Sequence, residues 1–160
     1  MKKKFLLMIV FLLCLSISIC SAEKVISSDR AAIGGITISS DADYIRSIYG
    51  EPNQIRKSED NQNAETWHYG DTFQIDFVDG ITSSVVSSGA NGLATPDGIS
   101  VGMKKKSMRS KYGKAHHADK YGKRAIYSYQ VDNNANMVFV TRDEIITEIR
   151  INRVVNNENN

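Results

Sequence analysis

The sequence predicts an α+β fold made of two repeated modules. Each module is a short helix, or two, followed by a three-stranded antiparallel sheet, with the helices on one face. Three observations predict it. The stretch RSIYGEP, Arg46 to Pro52, is echoed 63 residues later by RSKYGKA, Arg109 to Ala115. The echo extends without a gap, setting Gly35 and Ile36 against Gly98 and Ile99, and Tyr49 and Gly50 against Tyr112 and Gly113. Each copy is then followed by runs in which apolar and polar residues alternate, the pattern of half-buried strands.

The chain begins MKKKFLLMIVFLLCLSISICSA. Three lysines, an apolar run from Phe5 to Ile19 and small residues up to Ala22 have the layout of a secretory signal peptide, so residues 1–22 are expected to direct export. The apolar run is shorter than the ~20 residues of a spanning helix. A lipoprotein signal would use Cys20, but Ile19 before it is not small. Cys14 and Cys20 both lie in this segment. The processed chain then has no disulfide, no thiolate nucleophile and no cysteine zinc site, and its stability must come from an apolar core.

The first module is expected over residues 34–88. Ser39, Ser40 and Asp41 offer N-cap oxygens, Ile45, Ile48 and Tyr49 recur at helical spacing, Gly50 ends the helix and Pro52 blocks its resumption. The polar stretch NQIRKSEDNQNA reads as a variable loop. Strands follow around Trp67 and Tyr69, then Phe73, Ile75 and Phe77, with a hairpin at Asp79-Gly80. Residues 89–97, rich in Gly, Ser and Pro, read as a linker.

The second module is expected over residues 98–153. Met103, Met108 and Tyr112 are its apolar helix positions and Gly113 its stop. HHADKYGKR reads as its variable loop. Tyr127 and Tyr129 stand where the first module has Trp67 and Tyr69, and Met137 and Phe139 where it has Phe73 and Ile75. Asp143-Glu144 replaces Asp79-Gly80, so its last turn is expected to differ. Residues 154–160 read as a disordered tail.

The order of these motifs, a Gly–Ile helix start, YGEP at the helix end, W-x-Y, then F-x-x-G-I after an alternating strand, resembles the SmpA/OmlA family, the fold of the BamE outer-membrane lipoprotein. That fold is shared, in tandem, by the secreted beta-lactamase inhibitor protein. The resemblance implies helices on one sheet face and a free second face that, with its loops, binds a partner protein. The second copy departs from the pattern, with Ala115 in place of the proline and no tryptophan.

From Glu23 to Thr95 there are five basic and eleven acidic residues, a net −6; from Pro96 to Asn160 there are twelve and seven, a net +5. Either the halves face and neutralise each other, or the basic half meets an anionic partner. Lys104, Lys105, Lys106, Arg109, Lys111 and Lys114 give the second helix a basic exterior. A lipid surface, a cell-wall polyanion or an acidic protein would suit it; nucleic acid does not suit an exported chain. Trp67 and Tyr69 share one strand face, as do Tyr127 and Tyr129. They are either an aromatic binding surface or core packing.

His116, His117 and Asp119 are close in sequence, but adjacent histidines in a polar loop point different ways, so no metal site is expected. No nucleophile elbow, phosphate loop, zinc-protease motif or dinucleotide fingerprint occurs. No cofactor is called for. The leading expectation is an exported, non-enzymatic binding protein that presents a sheet face and loops to a protein partner. An envelope scaffold contacting an anionic membrane surface is second, and a hydrolase whose site is assembled from distant residues is third.

Overall fold

The structure, a computed structural model, describes residues 25–132 and 134–154. The expected signal peptide lies outside the described residues, as does the expected tail beyond Val154. After a 3-10 turn at Ser28–Arg30 come helix α1 (Ala42–Tyr49) and strands β1 (Gln54–Lys57), β2 (Ala64–Tyr69), β3 (Phe73–Val78) and β4 (Ile81–Ser87). Helix α2 (Lys105–Tyr112) and strands β5 (His117–Tyr121), β6 (Arg124–Val131), β7 (Ala135–Arg142) and β8 (Ile145–Arg153) follow.

All eight strands form one antiparallel sheet in the order β1-β2-β3-β4-β8-β7-β6-β5. This corrects the expected architecture. There are not two repeated modules, each with its own three-stranded sheet. Strands β4 and β8 join the halves through Ser84–Asn152, Val85–Ile151, Val86–Arg150 and Ser87–Ile149. Two strands were missed because they are polar. Gln54–Lys57, read as part of a loop, pairs with β2, and His117–Tyr121 pairs with β6. Both lie at sheet edges, where charged side chains are tolerated and apolar alternation fades. Such a strand carries no apolar periodicity.

One face of the sheet carries the core. Ile75, Phe77, Val85, Ile149, Ile151, Phe139 and Met137 project from it. Ile45 of α1 and Met108 and Tyr112 of α2 pack into the same continuous cluster. Each helix has eight residues, and its stop, Gly50 or Gly113, has positive φ and bonds back to Arg46 or Arg109. Residues 89–97, expected as a linker, set Leu93 against the core and bury Thr95. Asp97 there accepts a 2.9 Å ion-paired hydrogen bond from Arg30.

The two closing hairpin turns are alike where a difference was expected. Asp79 and Gly80 have φ of 54° and 75°, and Asp143 and Glu144 have 50° and 67°. Left-handed backbone at Glu144 costs about 1–2 kcal/mol for an L side chain. The turn is held by its neighbours: Lys105 N–H donates to the Glu144 carbonyl at 2.7 Å, and Lys123 pairs with Asp143 at 3.4 Å.

Candidate binding surfaces

The four aromatic residues, read from the sequence as either a binding surface or core packing, lie on the core side. Trp67 and Tyr129 are 1% exposed, Tyr127 is 4% exposed, and Tyr69 is partly buried against the same cluster. Their polar ends are used internally. Trp67 donates from Nε1 to Glu65 at 2.8 Å, its ring sits 4.6 Å from that of Phe77, and the Arg46 guanidinium lies 4.3 Å over it. Tyr69 donates to the Gly50 carbonyl at 3.0 Å and Tyr129 to the Gly113 carbonyl at 3.2 Å, so each ties a strand to a helix stop. Tyr49, Tyr69 and Phe73 form one ring cluster; Tyr112, Tyr129 and Phe139 form another. Trp67, Tyr127 and Tyr129 are core packing, and Tyr69 packs against the core with part of its side chain exposed. Burial pushes the Tyr129 hydroxyl up to about 12. Burial raises Tyr112 as well, against the lowering effect of its 2.8 Å bond to Thr95.

The three basic residues separate. Lys105 is committed: it pairs with Glu144, its ammonium lies 5.8 Å from the Tyr127 ring, and the Glu144 hydrogen bond raises its pKa. Lys104 and Arg109 are exposed, together with Lys106, Lys111 and Lys114. His117 bonds Asp119 at 3.0 Å along the edge strand β5. Among the described residues no group of three or more His, Cys, Asp or Glu converges as a metal site. No described helix is long and apolar enough to cross a membrane.

The sheet face opposite the core was not singled out by any motif. Its central row runs across all eight strands: Gln54, His68, Gln74, Val86, Arg150, Val138, Ser128 and His117. Every one of these side chains is at least partly exposed, whereas the strand neighbours on the other side are mostly buried. Asp76, one row along, accepts from Thr66 and Gln74, each at 2.8 Å. Arg150 pairs with Glu148 at 2.7 Å. His68 Nε2 and Arg150 Nε are covered yet have no hydrogen-bond partner among the described residues. At one end of this face a groove of about 580 Å³ opens between β4 and β8, lined by Val78, Ile81, Ser83, Ser84, Asn152 and Arg153. The sequence signal for this face is only the polar half of each strand alternation. That pattern marks which side is wet without saying what meets it.

The sequence matches no protein-family model and no curated protein. Solved structures do resemble the fold. An extracellular protein containing an SCP domain from Bacillus anthracis aligns with a TM-score of 0.52 at 16% identity, over 72% of this chain and 44% of its own. A cysteine-rich secretory protein of Staphylococcus aureus aligns with a TM-score of 0.52 at 8% identity, over 81% of this chain and 50% of its own. A DUF4309 family protein of Bacillus subtilis aligns at 0.45, with 16% identity, over 74% of this chain and 82% of its own. The chain thus spans about half the length of the first two. At these identities the likeness is one of fold. It corrects the SmpA/OmlA or BamE-like resemblance: with the single eight-stranded sheet, the fold is like that of the Bacillus anthracis and Staphylococcus aureus proteins and not that of tandem modules of that family.

Proposed function

We propose that this chain is an exported, non-enzymatic binding protein that meets a protein partner through the uncovered sheet face and the loops at its rim, in the cell envelope or outside the cell. The observation that carries the reading is the open row from Gln54 to His117, continuous across eight strands and rich in hydrogen-bonding groups. A rigid sheet presents such groups at fixed spacing without ordering cost at the moment of binding. His68 and Arg150 keep part of their side chains exposed in this row, where a partner would meet them. The groove beside Val78 and Ile81 offers an apolar foothold at the edge of a polar field, an arrangement common at interfaces. Export rests on the N-terminal composition and accords with the extracellular description of one fold neighbour.

The test is site-specific photocrosslinking of the purified chain against secreted and envelope fractions. A crosslinker at Val138, on the open face, is expected to capture one defined protein, and Arg150→Glu is expected to abolish the capture. A crosslinker at Ser110, on the outer side of α2, serves as the control. Equal capture at both positions, or capture indifferent to Arg150→Glu, would overturn the reading.

A further inference from the structure

Helix α2 is built against the usual electrostatics of a helix. Its N-cap is Lys104, which makes no side-chain capping bond, and its first turn has no acidic residue. A helix N-terminus carries a partial positive charge, so Lys104, Lys105 and Lys106 there repel it and one another. The end is held from outside instead: the Glu144 carbonyl accepts from Lys105 N–H, and Ile146 N–H donates to the Met103 carbonyl. Only Lys105 is neutralised, by Glu144. Lys104, Lys106, Arg109, Lys111 and Lys114 form no ion pair among the described residues and are exposed. The sequence offers them no nearby acid either, since none occurs between Asp97 and Asp119.

Cations surround the exposed Ser110 on the outer surface of the helix. At about 100° per residue, buried Met108 and Tyr112 define the inner side. Lys106 and Ser110 then point outward, Arg109 and Lys111 flank them, and Lys114 follows the stop at Gly113. No exposed apolar residue lies among them. That absence argues against an interfacial membrane helix, which needs an apolar face to insert. It argues equally against a protein hot spot, which needs a buried anchor. None of these cations lines one of the described cavities. A convex field of unpaired cations on a short rigid element suits a flexible chain of repeated negative charges.

We propose that the outer surface of α2 is a binding site for a linear polyanion with repeating phosphate groups. It is independent of the open sheet face, because α2 packs on the opposite side of the sheet. Binding is driven by release of counterions from the polymer and is strongly salt-dependent. With five contacts and a slope of about −0.7 per contact, raising salt from about 50 to 200 mM weakens binding about 100-fold.

The experiment uses the purified full chain and long-chain inorganic polyphosphate, with binding read by fluorescence anisotropy across a salt series. The variant carrying Lys106→Gln, Arg109→Gln, Lys111→Gln and Lys114→Gln is expected to bind more than about tenfold more weakly, with a slope near −0.7. A variant with Arg56→Gln, Lys57→Gln, Lys123→Gln and Arg124→Gln loses as many cations elsewhere and is expected to bind like the parent. All eight positions are exposed, and thermal melts report whether each variant is folded. Equal weakening of the two variants would show a response to net charge alone and overturn the site. Tighter binding to phosphatidylglycerol vesicles at equal phosphate would assign the surface to membranes, and equal binding to polyglutamate would assign it to acidic proteins. Either result would overturn the polymer.

Discussion

Helix α1 supplies its own stabilising charges, and helix α2 depends on its surroundings. In α1, Asp41 caps the first turn by accepting from Tyr44 N–H at 2.7 Å, Asp43 follows, and Arg46 stands in the last turn. Arg46 also reaches Glu51 at 3.2 Å and covers Trp67. In α2, Lys104 occupies the cap position and Glu144, from a hairpin 40 residues further on, provides what the helix lacks. Both helices have eight residues, end on a glycine and sit on the same core. The difference shows how a fold can hold an element whose local sequence is unfavourable, leaving that element's surface free for another purpose.

The largest expected effect tests the core beneath α1. Trp67→Ala should cost about 3–5 kcal/mol, by loss of burial and the cavity left beside Phe77. Urea unfolding measures it, and a loss under about 1 kcal/mol would mean that the ring is not a core residue. The next effect tests the aromatic cluster beneath α2. An unfolded tyrosine ionises near pH ~10, while burial holds the folded Tyr129 to about 12. The stability from keeping it protonated is full below pH ~10, falls as pH rises towards about 12 and is gone above that, at most ~3 kcal/mol. Tyr129→Phe should flatten the decline in urea midpoint over this window, and a decline that does not change would place its cause elsewhere.

Lys104→Asp should make α2 resemble α1. A capping carboxylate and relief of like charge should raise stability by about 1 kcal/mol, read in the same urea titration, while weakening polyphosphate binding. A variant that gains no stability would show that the external cap already satisfies the helix end. The smallest effect belongs to Glu144→Gly. Release of the left-handed strain is offset by loss of the Lys105 ion pair, so the net change should stay within about 1 kcal/mol. A large loss would show that Glu144 anchors α2 through its side chain as well as its carbonyl.

Much of the local structure was legible. The Asp41 cap, the Gly50 and Gly113 stops, the alternation through Phe73, Ile75 and Phe77 and the Asp79-Gly80 turn all follow from short-range physics. What was lost is non-local or polar. Nothing in Gln54–Lys57 or His117–Tyr121 announces a strand until β2 or β6 is there to pair with it. The turn at Asp143-Glu144 lacks the glycine that marks such turns, because neighbouring bonds impose its geometry. The aromatic pairs could be placed on one strand face but not on the wet or the dry one. The basic stretch of α2 was plain in the sequence; that Lys105 is paired and its neighbours are not emerges only when Glu144 comes back to meet it.

Strand β8 is the last to be made, yet it lies in the middle of the sheet, between β4 and β7. Until it arrives, the core lacks Ile146, Ile149 and Ile151, and the inner edges of both halves stay open. Such a chain settles late, since the pairing that closes it spans more than 60 residues of sequence. If the proposed export holds, an order of assembly in which the final strand is the keystone keeps the chain unfolded for most of its passage through a secretory channel. A chain ending at Glu144 should accordingly be cut throughout by trypsin under conditions where the full chain resists. A trypsin-resistant fragment from Val25 to Lys104 would show instead that the first half closes without it.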